Sequence, residues 1–123
     1  MKKLFLICLM MLAGSACADW EKYSSSDGDE FFFDPSTVRK SGNFSKVWEI
    51  INLPSTKDGV YSYRMRTEYD CFNEKFRFLY SSTHTKKFGG GETLESSSVP
   101  DKHWSEMPPN SSSRILHAIV CAK

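Results

Sequence analysis

The sequence predicts an α+β domain: an antiparallel β-sheet with one C-terminal α-helix packed on its aromatic face. Three observations carry this expectation. From Tyr61 to Cys71 the side chains alternate strictly. Tyr61, Tyr63, Met65, Thr67, Tyr69 and Cys71 fall on one face, and Ser62, Arg64, Arg66, Glu68 and Asp70 on the other. A period of two belongs to a half-buried strand, whereas a helix would scatter both sets around its circumference. A second run, Lys75 to Thr85, follows after a short link and puts Phe76, Phe78, Tyr80, Ser82 and His84 on one face, which predicts a β-hairpin. After Ser112 the period changes. Ile115 and Ile119, and Leu116 and Val120, are spaced by four with Ala118 between them, so a helix is expected to about Cys121.

A chain of 123 residues allows one domain. Its 16 Lys and Arg against 15 Asp and Glu give a net charge of +1. That balance excludes a partner held by bulk positive charge, such as nucleic acid. Aromatic residues at 14% argue against disorder and favour strands.

The first 18 residues have the layout of a secretory signal. Met1-Lys2-Lys3 is basic, Leu4 to Leu12 is apolar, and Ala16-Cys17-Ala18 is a small-residue cleavage site. Nine apolar residues at about 1.5 Å each fall far short of a ~30 Å bilayer core, so no membrane span is expected. Cleavage after Ala18 would leave a domain over 19–123, with 14 basic against 15 acidic residues after loss of Lys2 and Lys3. Gly14-Ser15-Ala16 lacks the large apolar residue that lipidation at Cys17 would need, so ordinary cleavage is expected there rather than a lipid anchor. Of the four cysteines, Cys8 and Cys17 would leave with the signal. Cys71 and Cys121 would remain in an oxidising compartment, where one disulfide is the simplest reading. Two cysteines fifty apart, with no CxxC, give no metal-ligand spacing.

The remaining elements follow in order. Trp20 to Ser25 reads as a first strand, and Ser24 to Asp29 as a turn-rich loop. Glu30 to Asp34 is a short apolar strand, and Asp34-Pro35 opens one helical turn. Ser41-Gly42-Asn43 is a turn, and Phe44 to Leu53 an interior strand stopped by Pro54. With Asn73-Glu74 as the hairpin turn, Cys71 would face Phe76, Tyr69 would face Phe78 and Thr67 would face Tyr80. Asp70 and Arg77 would then form a cross-strand ion pair. Phe88 to Gly91 reads as a flexible turn, Glu92 to Ser98 as an edge-like strand, and Pro108 to Ser111 as a breaker that offers helix caps.

No catalytic constellation emerges, so neither an enzyme nor a cofactor is expected. His84, His103 and His117 lack a second ligand at metal spacing and read as solvated or capping residues. The serines form no G-x-S-x-G elbow. Gly89-Gly90-Gly91 lacks the Lys-Ser/Thr of a phosphate loop. The acidic loop at Asp27, Asp29 and Glu30 lacks the twelve-residue calcium pattern. The candidate binding residues are Arg64 and Arg66 on the polar hairpin face, with Lys86 and Lys87 at the hairpin's far end. Together they make a modest basic patch for a protein or polyanion ligand outside the cell.

One resemblance spans about residues 20–123. Its marks are Trp20, Phe32-Phe-Asp-Pro-Ser-Thr-Val-Arg39, Lys46-Val-Trp48 and Tyr69-Asp-Cys71. Lys75-Phe-Arg-Phe-Leu79, Trp104, Pro108-Pro-Asn-Ser111 and Val120-Cys121 complete it. This order resembles the surface-adhesin protein E family of Gram-negative bacteria. The resemblance implies an antiparallel sheet of about six strands holding the C-terminal helix, with Cys71, Cys121, Asp70 and Arg77 as framework residues. It further implies an exported periplasmic or cell-surface protein, binding of host proteins such as vitronectin, laminin and plasminogen, and homodimer formation. The alternative is a periplasmic structural or stress-related protein with no host ligand.

Overall fold

The computed structural model describes residues 19–122. The signal read over 1–18, with Cys8 and Cys17, lies outside the described residues. Eight strands form one antiparallel sheet: β1 (Glu21–Ser26), β2 (Asp29–Phe33), β3 (Arg39–Ser41), β4 (Phe44–Lys57), β5 (Val60–Asp70), β6 (Lys75–His84), β7 (Thr93–Ser97) and β8 (Ser105–Glu106). Among the described residues a single α-helix, α1 (Ser112–Val120), follows. Six strands run in the order β1-β2-β4-β5-β6-β7, and the short β3 and β8 are added to β4 and β6. The α+β expectation and its six-strand frame therefore hold, with two short strands in addition.

Local chemistry explains the connections. Asp27-Gly28 and Asp58-Gly59 both lie at positive φ, the conformation that two-residue hairpin turns require, and they join β1 to β2 and β4 to β5. Asp34 accepts hydrogen bonds from the backbone N–H and hydroxyl of Ser36 (3.0 and 2.7 Å), capping the 3-10 turn that Pro35 opens. Ser111 caps α1 by accepting from the Arg114 N–H at 3.2 Å. At nine residues α1 is too short to stand alone, so packing must hold it. Leu116 and Val120 point inward onto Phe33, Val47, Tyr69 and Met107, while Ile115 and Ile119 face outward. The Ser45 hydroxyl donates to the Val120 carbonyl at 3.0 Å. The Cys71–Cys121 disulfide ties the helix end to the hairpin.

Four expectations are corrected. Pro54 does not stop β4, which continues to Lys57. Pairing with β5 is instead interrupted between Asn52 and Lys57, so proline's missing N–H falls where the ladder is already open. The β5–β6 register is shifted by two residues, with a four-residue link over 71–74 in place of the expected two-residue turn: Asp70 lies opposite Lys75, Tyr69 opposite Phe76 and Thr67 opposite Phe78. The cause is Asp70, which is spent on the turn. Its carboxylate accepts from the Phe72 N–H (3.1 Å), the Asn73 N–H (2.9 Å) and the Asn73 side-chain amide (2.9 Å). Consequently Arg77 pairs with Glu68 (2.9 Å) rather than with Asp70. Finally, a bulge leaves Leu79 without a partner, because Thr67 faces Phe78 and Arg66 faces Tyr80. The extra residue turns Tyr80, Ser82 and His84 away from the face of Phe76 and Phe78 and onto that of Arg64 and Arg66.

Candidate functional site

The sheet has two unlike faces. The one under α1 is closed, and a carboxylate lies at its centre. Glu49 is buried and accepts from the hydroxyls of Tyr23 (2.7 Å) and Tyr69 (3.1 Å). Burial pushes its carboxyl above the usual carboxylate range, against the opposing hydrogen bonds of the surrounding hydroxyls. Burial beside Glu49 likewise holds both tyrosines well above their ordinary range. Sequence reading misses this cluster because Glu49 sits within an otherwise apolar run.

The opposite face is open, and here the hairpin's basic residues meet aromatic rings. The Arg64 guanidinium lies 4.1 Å from the Trp48 ring centroid. Trp48, Arg66 and Tyr80 form one cross-strand row, and the Trp48 and Tyr80 rings meet at 5.4 Å across it. Further along, Arg77 lies 4.7 Å from the Trp104 ring, which stacks on Phe44.

The Gly-rich segment is pinned to this same face rather than free. The Phe88 N–H donates to the buried Asn52 side chain (2.8 Å), and the Gly89 N–H donates to the buried Ser62 hydroxyl (2.9 Å). Ser62 in turn donates to the Lys86 carbonyl (2.6 Å). Gly89 packs against Arg64 and Ile50, and its φ of +71° is the left-handed conformation that favours a glycine in this turn. Phe88, itself at φ 58°, packs on Phe32 while staying 47% exposed. The structure thus brings the Lys86–Lys87 turn against Arg64. Arg66 lies one row further on, in a separate pocket with Arg39, Lys40 and Lys46.

The histidines divide. His103 is exposed. His84 is buried, contrary to the solvated reading, and shares hydrogen bonds with Ser82 (2.7 Å) and Thr93 (3.3 Å). Burial, then the charge of Arg64, lowers its pKa, so the ring is neutral at neutral pH. Its second nitrogen meets a hydroxyl, not the carboxylate that would orient a catalytic base. His117 lies close to the sulfurs of Cys71 and Cys121, but those sulfurs are bonded to each other and offer no thiolate.

The class this architecture defines is an antiparallel sheet domain with one face closed by a single helix and the other left open. Within that class, the chain belongs to the surface-adhesin protein E family, whose profile matches residues 20–122. It is similar in fold to protein E of Haemophilus influenzae. Crystal form II of that protein aligns with a TM-score of 0.61 at 15% identity, covering 81% of this chain and 91% of that one. Protein E from non-typeable Haemophilus influenzae gives 0.60 at 14% identity, over 85% and 84%. No curated protein sequence matches the chain. No described helix is long and apolar enough to cross a membrane.

Proposed function

We propose that this chain is an exported surface adhesin that captures a host extracellular-matrix or serum protein, of the vitronectin, laminin or plasminogen kind, through its open sheet face. The signal over 1–18 would deliver it, and the domain from residue 19 would bind without catalysis. Membership of the surface-adhesin family supports the class. The observation that carries the choice of face is the asymmetry of the sheet. The helix buries one side, while the other presents Trp48, Tyr80 and Arg64 beside the exposed Lys86 and Lys87. Aromatic and arginine side chains are the residues that dominate protein–protein contacts.

The test is capture of immobilised vitronectin, laminin and plasminogen, at low and high salt, by wild type and by a variant with Arg64, Arg66, Lys86 and Lys87 changed to Glu. Wild type should bind, more weakly at high salt because exposed charges are screened within about 8 Å at physiological ionic strength. The variant should lose capture while keeping its melting transition. Failure of wild type to bind any of the three, with the protein inaccessible on intact cells, favours the periplasmic structural role. Undiminished capture by the variant moves the site elsewhere.

A further inference from the structure

A second feature of the open face is a concentration of positive charge. Beyond the Trp48–Arg66–Tyr80 row, β3, β4 and β5 enclose a concave pocket of about 190 Å3 lined by Arg39, Lys40, Lys46, Arg66, Phe44 and Glu68. Arg39 and Lys46 are direct cross-strand partners. Like charges placed opposite each other destabilise a sheet, so this pairing works against the fold. The one carboxylate in the pocket, Glu68, stands across the ladder from Lys46 and is bonded to Arg77 at 2.9 Å, while Arg39 donates to the Ser36 and Val38 carbonyls (2.9 Å each), so one carboxylate faces three cations of the pocket and Arg77. Lys46 makes no ion pair among the described residues. The Arg66 Nε is buried with no hydrogen-bond partner, the condition in which a donor is most costly to leave alone. Lys40 is occupied on the other side of the sheet, where its ammonium donates to the Ala122 carbonyl at the helix end. Three cations, Arg39, Lys46 and Arg66, therefore line one concavity against a single carboxylate, Glu68, an excess of positive charge.

We infer that this pocket binds an oxyanion group, and that the group is a sulfate carried on a sugar chain. This rests on the reading of the open sheet face as the binding face. The cations supply the oxyanion site, with Arg66 and Arg39 offering planar forks matched to such groups. The aromatic rim selects the carrier. Phe44 lines the pocket, is 38% exposed and stacks on Trp104 at 5.7 Å. Held by that stack, Phe44 offers an apolar ring at the pocket rim against which the C–H face of a sugar ring can lie while its sulfate enters the pocket. An acidic peptide would use the cations and leave the platform idle.

The experiment is a calorimetric and amide-shift NMR titration of the purified protein with a heparin tetrasaccharide, its desulfated counterpart, inorganic sulfate and a poly-glutamate peptide. The sulfated tetrasaccharide should bind and shift the amides of β3, of residues 44–48 and of Arg66. The desulfated sugar should not bind, and inorganic sulfate should bind the same site at least tenfold more weakly. Lys46→Gln and Arg39→Gln, exposed or half-exposed and outside the Arg64, Lys86 and Lys87 patch, should each weaken tetrasaccharide binding by about three- to tenfold. Arg66→Gln should weaken it further, and Lys46→Gln carries the test if Arg66→Gln does not fold. Equal binding of the desulfated sugar, tighter binding of poly-glutamate, or no binding of the tetrasaccharide overturns the inference. So does loss of binding on changing Lys86 and Lys87 but not Lys46. Capture of vitronectin, laminin or plasminogen is a separate readout. Its failure alongside a normal titration refutes the proposed function and leaves the sugar pocket standing.

Discussion

The two faces of this sheet handle charge in opposite ways. Under the helix, Glu49 is sealed in, and its stability depends on two hydroxyls that reach it from β1 and β5. On the open side, arginines lie flat on rings and keep their charge near water. The first arrangement couples the carboxylate to the whole fold, because removing any member strands the others in a low-dielectric core. The second leaves charge available to a partner at little cost to the fold. If the open face binds as proposed, stability and binding are divided between the faces and should respond separately to substitution.

The largest expected effect is on the closed face. Replacing Cys71 and Cys121 with Ser should cost about 2–5 kcal/mol, the usual range for a native disulfide in a small secreted domain. Urea melts with and without reductant should show this loss in wild type and no reductant effect in the variant. An equal melting midpoint for both proteins would mean that packing alone seats the helix.

A smaller loss is expected at Glu49. Glu49→Leu should cost about 2–3 kcal/mol by stranding the Tyr23 and Tyr69 hydroxyls, whereas Glu49→Gln keeps an acceptor and should cost about 1 kcal/mol. The pH dependence follows from the raised carboxyl. Above its ordinary pKa of 4.5 the unfolded chain releases this proton before the folded one does, so wild-type stability should fall as pH rises through the interval up to Glu49's folded pKa. Glu49→Gln should remove that slope. Asp70 acts in a separate window. Burial raises its pKa, but hydrogen bonds from Asn73 and Phe72 outweigh this and lower it overall. Its contribution is therefore present above pH 3.8 and lost as pH falls further. A slope unchanged by Glu49→Gln would break the comparison on its closed side.

The smallest stability effect belongs to the open face. Arg64→Gln removes a cation from the Trp48 ring and should cost only about 0.5–1 kcal/mol, the range for such contacts near the surface. It should nevertheless lower ligand capture clearly. A loss above about 2 kcal/mol in a thermal melt would show that the open face also supports the fold.

Why the faces of the hairpin were legible while its register was not follows from the period of the strand. A slip of two residues returns every side chain to the same side, so Tyr69 and Phe76 stay together whichever partner is assumed. The register itself depends on Asp70, whose carboxylate could pair across strands or cap a turn, and the sequence contains both options. Leu79 is invisible as a bulge because an apolar residue fits either face. Asp58-Gly59 is a strong turn signal that locates the β4–β5 hairpin beyond Pro54. Glu49 has partners 26 and 20 residues away, and no local pattern joins them. In the proposed binding region, Arg64 and the Lys86–Lys87 turn meet only because Asn52 and Ser62 pin the loop. Arg39 and Lys46 meet only because β3 forms before the expected Ser41-Gly42-Asn43 turn, in a stretch to which the sequence reading assigns no strand.

The helix that closes the fold is made last. Ser24 meets Ser112, and Ser45 meets Val120, across sequence separations of 88 and 75 residues. A chain emerging from its N-terminus can form the β4–β5–β6 hairpins early, because their contacts are local. Yet Phe33, Val47 and Tyr69 have no cover until the helix arrives. At about 5–20 residues per second, the fifty positions between Cys71 and Cys121 leave a thiol and an apolar sheet face waiting for roughly 3–10 s. Closure of the disulfide then records that the helix has reached the sheet, a covalent mark separating covered sheets from uncovered ones.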